Sequence, residues 1–163
     1  VGTHARDKDA VVASMMFAEM VCYFDSVGKR VYDVLQDIYK QFGYYVEKAR
    51  SITFGGLDGM QKMADIMAQI RSTRFDEIDG TKVLAQSDFV TRKKTYADGK
   101  VEDITLPKTN AFKLHLENGD WICVRPSGTE PKLKFYVATS KPTESAATAK
   151  AEAYLAYMEN SVK

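Results

Sequence analysis

The chain has 163 residues, 45% of them hydrophobic, which is enough for one folded domain with a core or for a small domain with an appendage. Its 23 basic and 22 acidic residues leave a formal net charge of +1, so no global field attracts nucleic acid or an anionic membrane. Neither is expected as a partner, and a small anionic ligand would have to be bound by a local cluster of donors.

The first predicted element is a helix that begins near Asp7 or Asp9, whose carboxylates can cap free N–H groups, and ends before Gly28. Its apolar residues surround the helix axis instead of forming one stripe, which is typical of a helix covered on most sides. Only a short polar segment precedes it. We therefore expect this helix either to pack on a neighbouring molecule or to expose an apolar patch.

Two further helices flank a segment rich in aromatic and β-branched residues. Val31 to Phe42 has apolar residues at helical spacing and is followed by Gly43, which predicts an amphipathic connector helix. Tyr44 to Phe54 is predicted to be a strand. Asp58 is predicted to cap a third helix. The apolar stripe of that helix, which is predicted to fill the core, consists of Met60, Met63, Ala64, Met67 and Ile70.

Short runs separated by turn signals follow Arg74 and predict strands. Thr81 to Ser87 has a strand pattern, and Asp98-Gly99 marks a turn before the next run. Arg92 to Lys94 is a basic run that could contact a ligand or nucleic acid, but the balanced total charge favours a solvated face.

A hairpin and a final helix complete the predicted domain. Phe112 to Leu116 alternates up to a turn at Asn118-Gly119, Trp121 to Val124 returns, and Leu133 to Thr139 is another strand. Thr143 can cap a last helix that covers the sheet. Its predicted buried face consists of Ala147, Ala151, Tyr154, Leu155, Met158 and Val162. The fold class expected from about Tyr44 onward is α+β, a mostly antiparallel sheet with helices packed on one face.

Cysteine and histidine positions indicate no redox or metal chemistry. Cys22 and Cys123 lie far apart in apolar surroundings and are predicted to be buried free thiols. Neither His4 nor His115 has a spacing typical of a triad or metal site, and His115 is predicted to be solvent-exposed on its strand. Because no signal peptide is evident and the apolar run from Ala10 to Phe24 is too short to cross a bilayer, we expect a soluble, cytoplasmic protein.

The polar loop Arg125-Pro-Ser-Gly-Thr-Glu-Pro-Lys132, between two predicted strands, is the candidate binding site. The planar guanidinium of Arg125 can hold two phosphate oxygens at once, and Ser127 and Thr129 add hydroxyl donors. Gly128 allows backbone N–H groups to approach an anion closely.

A second cation, Lys134, alternates with apolar residues on the outgoing strand and could return toward this loop. The alternative is an ordinary turn stiffened by Pro126 and Pro131, with Arg125 and Lys134 solvated. The Walker and Gly-x-Gly-x-x-Gly patterns are absent from the sequence, which argues against the familiar nucleotide loops.

Two segments resemble the α-D-phosphohexomutases, the family of phosphoglucomutases and phosphomannomutases. The loop Arg125-Pro-Ser-Gly-Thr-Glu-Pro-Lys132 is similar to the phosphate-binding loop of the family's C-terminal domain. Gly2-Thr-His-Ala-Arg-Asp-Lys-Asp-Ala-Val11 is similar to the segment that closes the third domain of phosphoglucomutase-like members. The resemblance implies that residues 1–28 are a helical remnant of the third, α/β domain, whose sheet would cover the first helix. It further implies a connector at 29–43 and a TBP-like C-terminal phosphate-binding domain at 44–163.

The resemblance also implies an activity for a longer protein. Family members are four-domain enzymes that move a phosphoryl group between the C1 and C6 oxygens of a hexose, through a bisphosphate such as glucose 1,6-bisphosphate. A phosphoserine and a Mg²⁺ ion held by an aspartate loop serve this transfer, and neither loop is found in this sequence. We therefore expect no catalytic residue and no metal ligand here, and no activity from the chain alone. Its expected partners are a phosphosugar and the upstream domains 1–3 of the same polypeptide.

The identity of the sugar stays open at the sequence level, because the family's specificity loop would precede Val1. The Lys8-Asp9 segment favours glucose and hence phosphoglucomutase. Phosphomannomutase, phosphopentomutase and phosphoglucosamine mutase are alternatives within the family. A free-standing, non-catalytic phosphate-binding module is an alternative of another class.

The resemblance assigns roles to particular residues. Arg125, Ser127, Gly128, Thr129 and Lys134 would bind the substrate phosphate. At the N-terminal end, Lys8 becomes a candidate substrate contact, together with Arg6 and His4. The alternative for that segment is a charged helix N-terminus with pairs inside the helix.

Overall fold

The structure is a computed structural model that describes Ala5 and residues 8–162. The chain divides into two compact units, Val1–Gly43 and Tyr44–Lys163. The first unit contains two helices, and the second contains an antiparallel sheet with two further helices.

Each helix of the first unit has the boundaries that its sequence signals predict. Helix α1, Ala10–Ser26, begins after Asp9, whose carboxylate accepts a hydrogen bond from the N–H of Val12 at 2.9 Å. Helix α2, Val31–Phe42, ends at Gly43, where φ is 94°. Glycine suits this end because positive φ is strained for residues with a Cβ atom.

Helix α1 exposes apolar side chains around its axis, and none of its residues is buried. Val11 is 72% exposed and Met15 67% exposed. The predicted apolar patch is therefore present, but the prediction that Cys22 is buried is wrong, because nothing in the described part of this unit covers the helix.

No single helix among residues 8–162 is long and apolar enough to cross a membrane, whereas α1 and α2 together, bent by 88°, meet that criterion by length and composition only.

The second unit is built on one eight-stranded sheet. Its strands are β1 (Tyr44–Thr53), β2 (Glu77–Ile78), β3 (Thr81–Asp88), β4 (Lys93–Tyr96), β5 (Val101–Asp103), β6 (Phe112–Leu116), β7 (Trp121–Pro126) and β8 (Lys132–Lys141). The order is β1-β8-β7-β6-β3-β4-β5, with β2 paired to β3, and each of these pairings is antiparallel. The predicted α+β class with a mostly antiparallel sheet is confirmed.

Both remaining helices pack on the same face of this sheet. Helix α3 spans Gly59–Ser72, and helix α4 spans Glu144–Asn160 and is capped by Thr143, as predicted. Together with alternate residues of the strands they form one hydrophobic cluster. Phe135 and Tyr154 are fully buried there. Burial of each such side chain stabilises the fold by roughly 1.5–3 kcal/mol, so the strand alternation decides which face meets the helices.

The start of α3 differs from the sequence expectation. Met63, Met67 and Ile70 are buried as predicted, but Met60 is 49% exposed. Ala64, the remaining member of the predicted stripe, is also exposed. Asp58 occupies the N-cap position without a side-chain cap, because its carboxylate pairs with Lys62 at 2.9 Å.

A buried carboxylate, Asp120, ties the β6–β7 hairpin to β8 and α4. It accepts hydrogen bonds from Thr139 at 2.9 Å, from the N–H of Ser140 at 3.0 Å and from Tyr154 at 3.0 Å, and it pairs with Lys141 at 2.9 Å. Burial alone would raise the pKa of Asp120, but these donors outweigh it and hold the pKa below its ordinary value. The hairpin that leads into the candidate loop is therefore fixed by charge-assisted bonds.

Candidate anion-binding site

Arg125 and Lys134 lie directly opposite each other on β7 and β8, on the two sides of the candidate loop. Their neighbours Val124 and Leu133 are fully buried on the helix-covered face. Because side chains alternate along a strand, Arg125 and Lys134 point to the other, open face of the sheet. Cβ atoms of directly opposed residues are about 4.5–5.5 Å apart, so the two cations stand side by side.

Neither cation is neutralised within the part of the chain that the structure describes. Residues 8–162 provide no hydrogen bond or ion pair to the side chain of Arg125 or Lys134. The carboxylate of the loop, Glu130, is engaged by Lys132 at 3.2 Å. The loop therefore presents net positive charge with free donors, which is the electrostatic requirement for an anion site.

The loop backbone is braced from two sides. The N–H of Ser127 donates to the carbonyl of Lys132 at 2.8 Å, across the loop. The N–H of Phe54, just after β1, donates to the carbonyl of Pro131 at 2.8 Å. Gly59, the first residue of α3, also touches the loop: a Cβ atom there would lie 2.3 Å from the carbonyl oxygen of Phe54 and 3.0 Å from the Cβ of Pro131. Gly59 was not predicted from the sequence to matter here, although a glycine at the first position of a helix is a visible signal.

Gly128, at the tip of the loop, has open space around it, unlike Gly59. A Cβ atom there would meet nothing within 4 Å, and Gly128 is not among the glycines with positive φ. The N–H of Thr129 reaches the Oγ of Ser127 at 3.5 Å, while the N–H of Gly128 makes no backbone hydrogen bond to a described residue. The fold itself does not require glycine here, so the open space and the free N–H are available to a ligand.

A groove of about 350 Å³ runs from Arg125 across the open face of the sheet. It is lined by Phe89, Thr109, Lys113, Trp121, Cys123 and Tyr136. The ammonium of Lys113 lies 4.4 Å from the ring centroid of Trp121. Burial raises the pKa of the Cys123 thiol, although Lys113 and Arg125 act in the opposite direction. Cys123 is thus a partly buried, protonated thiol, in partial agreement with its predicted burial.

The structure also corrects the predicted solvent exposure of His115, which lies on the same face of the sheet. It lies opposite the buried residues of β6, as predicted, but it is half-buried rather than exposed. Its Nε2 atom is 3.0 Å from the Oγ of Ser87, a buried residue for which the sequence predicted no such contact. Burial, with Lys94 and Lys113 nearby, lowers the pKa of His115 from 6.5 to about 4, so the ring is neutral at pH 7. The error arose because Ser87, on the neighbouring strand β3, lies against the ring, and local alternation cannot reveal such a cross-strand contact.

The N-terminal candidates belong to the first unit. Lys8 is exposed. His4 and Arg6 lie outside the described residues. Their role as substrate contacts, like the assignment of residues 1–28, 29–43 and 44–163 to parts of a longer enzyme, stays a prediction.

The match to known protein families includes the candidate loop. Residues 58–156 match the phosphoglucomutase/phosphomannomutase C-terminal domain. The chain belongs to this family. The matched segment covers more than half of the chain and contains Arg125, Lys134 and the loop between them.

Curated relatives agree with this assignment. A phosphoglucomutase of Staphylococcus epidermidis is 42% identical over 136 residues, which are 83% of this chain and 25% of that protein. A phosphoglucomutase of Staphylococcus haemolyticus is 37% identical over 134 residues, 82% of this chain and 24% of that protein. The chain thus spans about a quarter of the length of the curated relatives it matches.

A solved structure supports the fold. The open form of the exocytosis-sensitive phosphoprotein parafusin, a phosphoglucomutase from Paramecium, matches 96% of this chain and 28% of its own with a TM-score of 0.56. The sequence identity is 14%, so this likeness concerns the fold alone.

Proposed function

We propose that this chain is the substrate-phosphate-binding C-terminal part of a phosphoglucomutase, which interconverts glucose 1-phosphate and glucose 6-phosphate through glucose 1,6-bisphosphate. The observation that carries the proposal is the pair Arg125 and Lys134, opposed on neighbouring strands and unpaired among the described residues. The shared name of the curated relatives favours glucose over mannose, pentose or glucosamine.

In this proposal the loop holds the phosphate that does not react. The guanidinium of Arg125 binds two of its oxygens, and the ammonium of Lys134 contributes a second positive charge. Ser127, Thr129 and the free N–H of Gly128 supply the remaining donors. Hydrogen bonds to charged groups contribute about 1.5–3 kcal/mol each, so a few of them suffice to fix one end of the sugar. Fixing that end orients the reacting hydroxyl at the other end.

In this proposal, the metal site and the residue that carries the transferred phosphoryl group lie outside this chain. Among the residues that the structure describes, no group of three His, Cys, Asp or Glu side chains could hold a metal ion. The described residues offer no set of ligands that fits Mg²⁺, and we assign no step to it here. The Mg²⁺ site and the phosphoserine would lie in upstream domains 1–3, and the 163-residue chain alone would be inactive. A cytoplasmic location remains part of the proposal.

Titration with inorganic phosphate tests the anion site directly. In NMR spectra of the 163-residue chain, phosphate is expected to shift the amide signals of Gly128 and Thr129. Arg125→Ala should abolish these shifts. Arg125→Lys should weaken them, because the single ammonium of lysine cannot hold two phosphate oxygens as the planar guanidinium does. Arg74→Ala is the matched control, since Arg74 pairs with Asp76 and lies outside the loop. Equal binding by the Arg125→Ala and Arg74→Ala variants would contradict the proposal.

A further inference from the structure

The two edges of the sheet differ in how they are protected. The strand order places β1 at one edge and β5 at the other. Strand β5 has only three residues, and two of them, Glu102 and Asp103, carry charges that pair with lysines beside the strand. Short strands with charged side chains are the usual protection of an exposed edge. Strand β1 has ten residues with neither proline nor glycine, so it lacks this protection.

The backbone of β1 is regular and offers one side for further pairing. Among residues 8–162, β8 is the one strand that pairs with β1, and their register continues without a bulge. The N–H of Phe54, next after β1, donates to the carbonyl of Pro131 and therefore points toward β8. Since backbone direction alternates along a strand, the alternate residues point their N–H and C=O groups away from β8. These are Tyr45, Glu47, Ala49, Ser51 and Thr53.

The cations of β1 do not guard this edge. Lys48 and Arg50 lie opposite buried residues of β8 and so point to the helix-covered face. There Lys48 pairs with Glu152 of α4 at 2.5 Å, and Arg50 pairs with Glu159 at 2.8 Å. Each copy of the chain thus neutralises its own edge cations, and two copies would not repel each other at this edge.

Helix α4 carries small side chains next to this edge. Ala149 and Ala156 lie three residues before and four residues after Glu152, and hence beside it on the helix surface. Both are exposed. Because Glu152 is the residue that reaches β1, the flank of α4 nearest the edge leaves room for a neighbouring copy.

We infer that β1 is a docking edge for β1 of a second copy of this chain, in an antiparallel pair with its two-fold axis at Ala49. This register pairs Ala49 with itself, Glu47 with Ser51 and Tyr45 with Thr53 of the second copy. Each of these residues points its backbone outward, so each would exchange two N–H···O bonds with its partner. The two sheets would join into one continuous sheet.

The side chains of β1 suit the same register on both faces. On the open face, Tyr45 would lie opposite Thr53, an aromatic and β-branched pair that stabilises antiparallel strands. On the helix-covered face, Val46 would lie opposite Ile52 of the second copy. Lys48 would lie opposite Arg50, and the glutamates of α4 already pair with both. The edge is therefore complementary to itself.

Analytical ultracentrifugation of the 163-residue chain tests the pairing. The mean mass is expected to rise from 18.3 kDa toward twice that value as the concentration is raised, because so small an interface gives a reversible dimer. Ala49→Pro should weaken association by about tenfold or more, since it removes the outward N–H at the two-fold axis. Proline is tolerated on an edge strand where the N–H faces solvent.

Ala49→Ser is the matched control, because it keeps the N–H, and it should associate as the wild type does. Equal association of Ala49→Pro and Ala49→Ser would overturn the inference, as would a constant mass of 18.3 kDa at every concentration. Met15→Lys tests the other exposed apolar surface, helix α1, and should leave association unchanged. Loss of the dimer in Met15→Lys, with Ala49→Pro still dimeric, would assign the contact to α1 and overturn the inference.

A cross-linking test covers the case in which Ala49→Pro fails to fold. In a Cys22→Ser background, Ala49→Cys should form disulfide-linked dimers on oxidation, because opposed Cα atoms at the axis would be about 5.5 Å apart. Ser51→Cys is the control. Its two copies would lie four residues apart along the strands, about 13 Å, which is too far for a disulfide. Equal yields of linked dimer from Ala49→Cys and Ser51→Cys would overturn the proposed register and the inference.

Discussion

Arg125 and Lys134 are two neighbouring cations that the described residues leave unpaired. Their position predicts a kinetic effect in the full-length enzyme proposed above. Arg125→Ala is expected to raise KM and to lower kcat/KM by about 10²-fold, because a charge-assisted anion contact is lost. Steady-state kinetics with glucose 1-phosphate measure both values. Arg74→Ala should leave them unchanged, and wild-type kinetics in Arg125→Ala would remove the assignment.

His115 predicts a pH dependence of stability. Its pKa in the folded chain is about 4, below its ordinary value of 6.5, so the unfolded chain binds more protons between these values. The stabilising contribution is complete above pH 6.5 and is lost as the pH falls toward 4. Urea unfolding at several pH values is expected to show this loss in the wild type and a smaller loss in His115→Gln. NMR titration of the His115 ring should place its midpoint near 4, and a midpoint near 6.5 would contradict the burial.

Single residues also show where sequence reasoning reaches its limit. Arg125 and Lys134 were predicted correctly to lie on the two strands that flank the loop, because alternation and turn signals are local. The burial of Cys22 was predicted wrongly and that of His115 was missed, because burial depends on which other element covers a side chain. That information is not present in a window of neighbouring residues.

At the level of elements, two glycines are expected to have different roles: Gly59, at the start of α3, in stability, and Gly128, at the tip of the loop, in phosphate binding. Gly59→Ala should destabilise the fold by a few kcal/mol, because its Cβ would clash with the backbone carbonyl of Phe54. Gly128→Ala should leave stability within about 0.5 kcal/mol but weaken phosphate binding, because open space at the loop tip is lost. Thermal melting and phosphate titration of both variants separate the two effects. A large loss of stability in Gly128→Ala would contradict a ligand role for this glycine.

Helices and the longer strands were predicted from the sequence, whereas the sheet order was not. Helix α2 has the predicted bounds, and β1 ends one residue early. The short strand β2 was missed, because a two-residue strand has no periodicity and exists through its pairing with β3. Strand β4, which lies between β3 and the edge strand β5, was interpreted as a basic run, because its two lysines mask the alternation. The pairing of β1 with β8 joins residues far apart in the chain and left no local signal.

The whole molecule consists of two units that differ in how completely each buries its own apolar surface. The hydrophobic cluster draws its residues from the second unit alone, whereas no residue of α1 or α2 is buried. Residues 44–163 alone are therefore expected to unfold cooperatively and to bind phosphate as the complete chain does. Removal of residues 1–43 should also lower the binding of a hydrophobic dye, because the exposed apolar helix is gone. Non-cooperative unfolding of residues 44–163 would contradict this division.

The bond from the N–H of Phe54 to the carbonyl of Pro131, with the contact of Gly59, joins three separate stretches of the chain at one point. We therefore expect the proposed anion site to be assembled before any ligand arrives. Complex formation should then proceed at a rate set by diffusion and ionic strength, with no slow rearrangement. In hydrogen exchange, the Phe54 amide should be as strongly protected in the empty protein as in the complex.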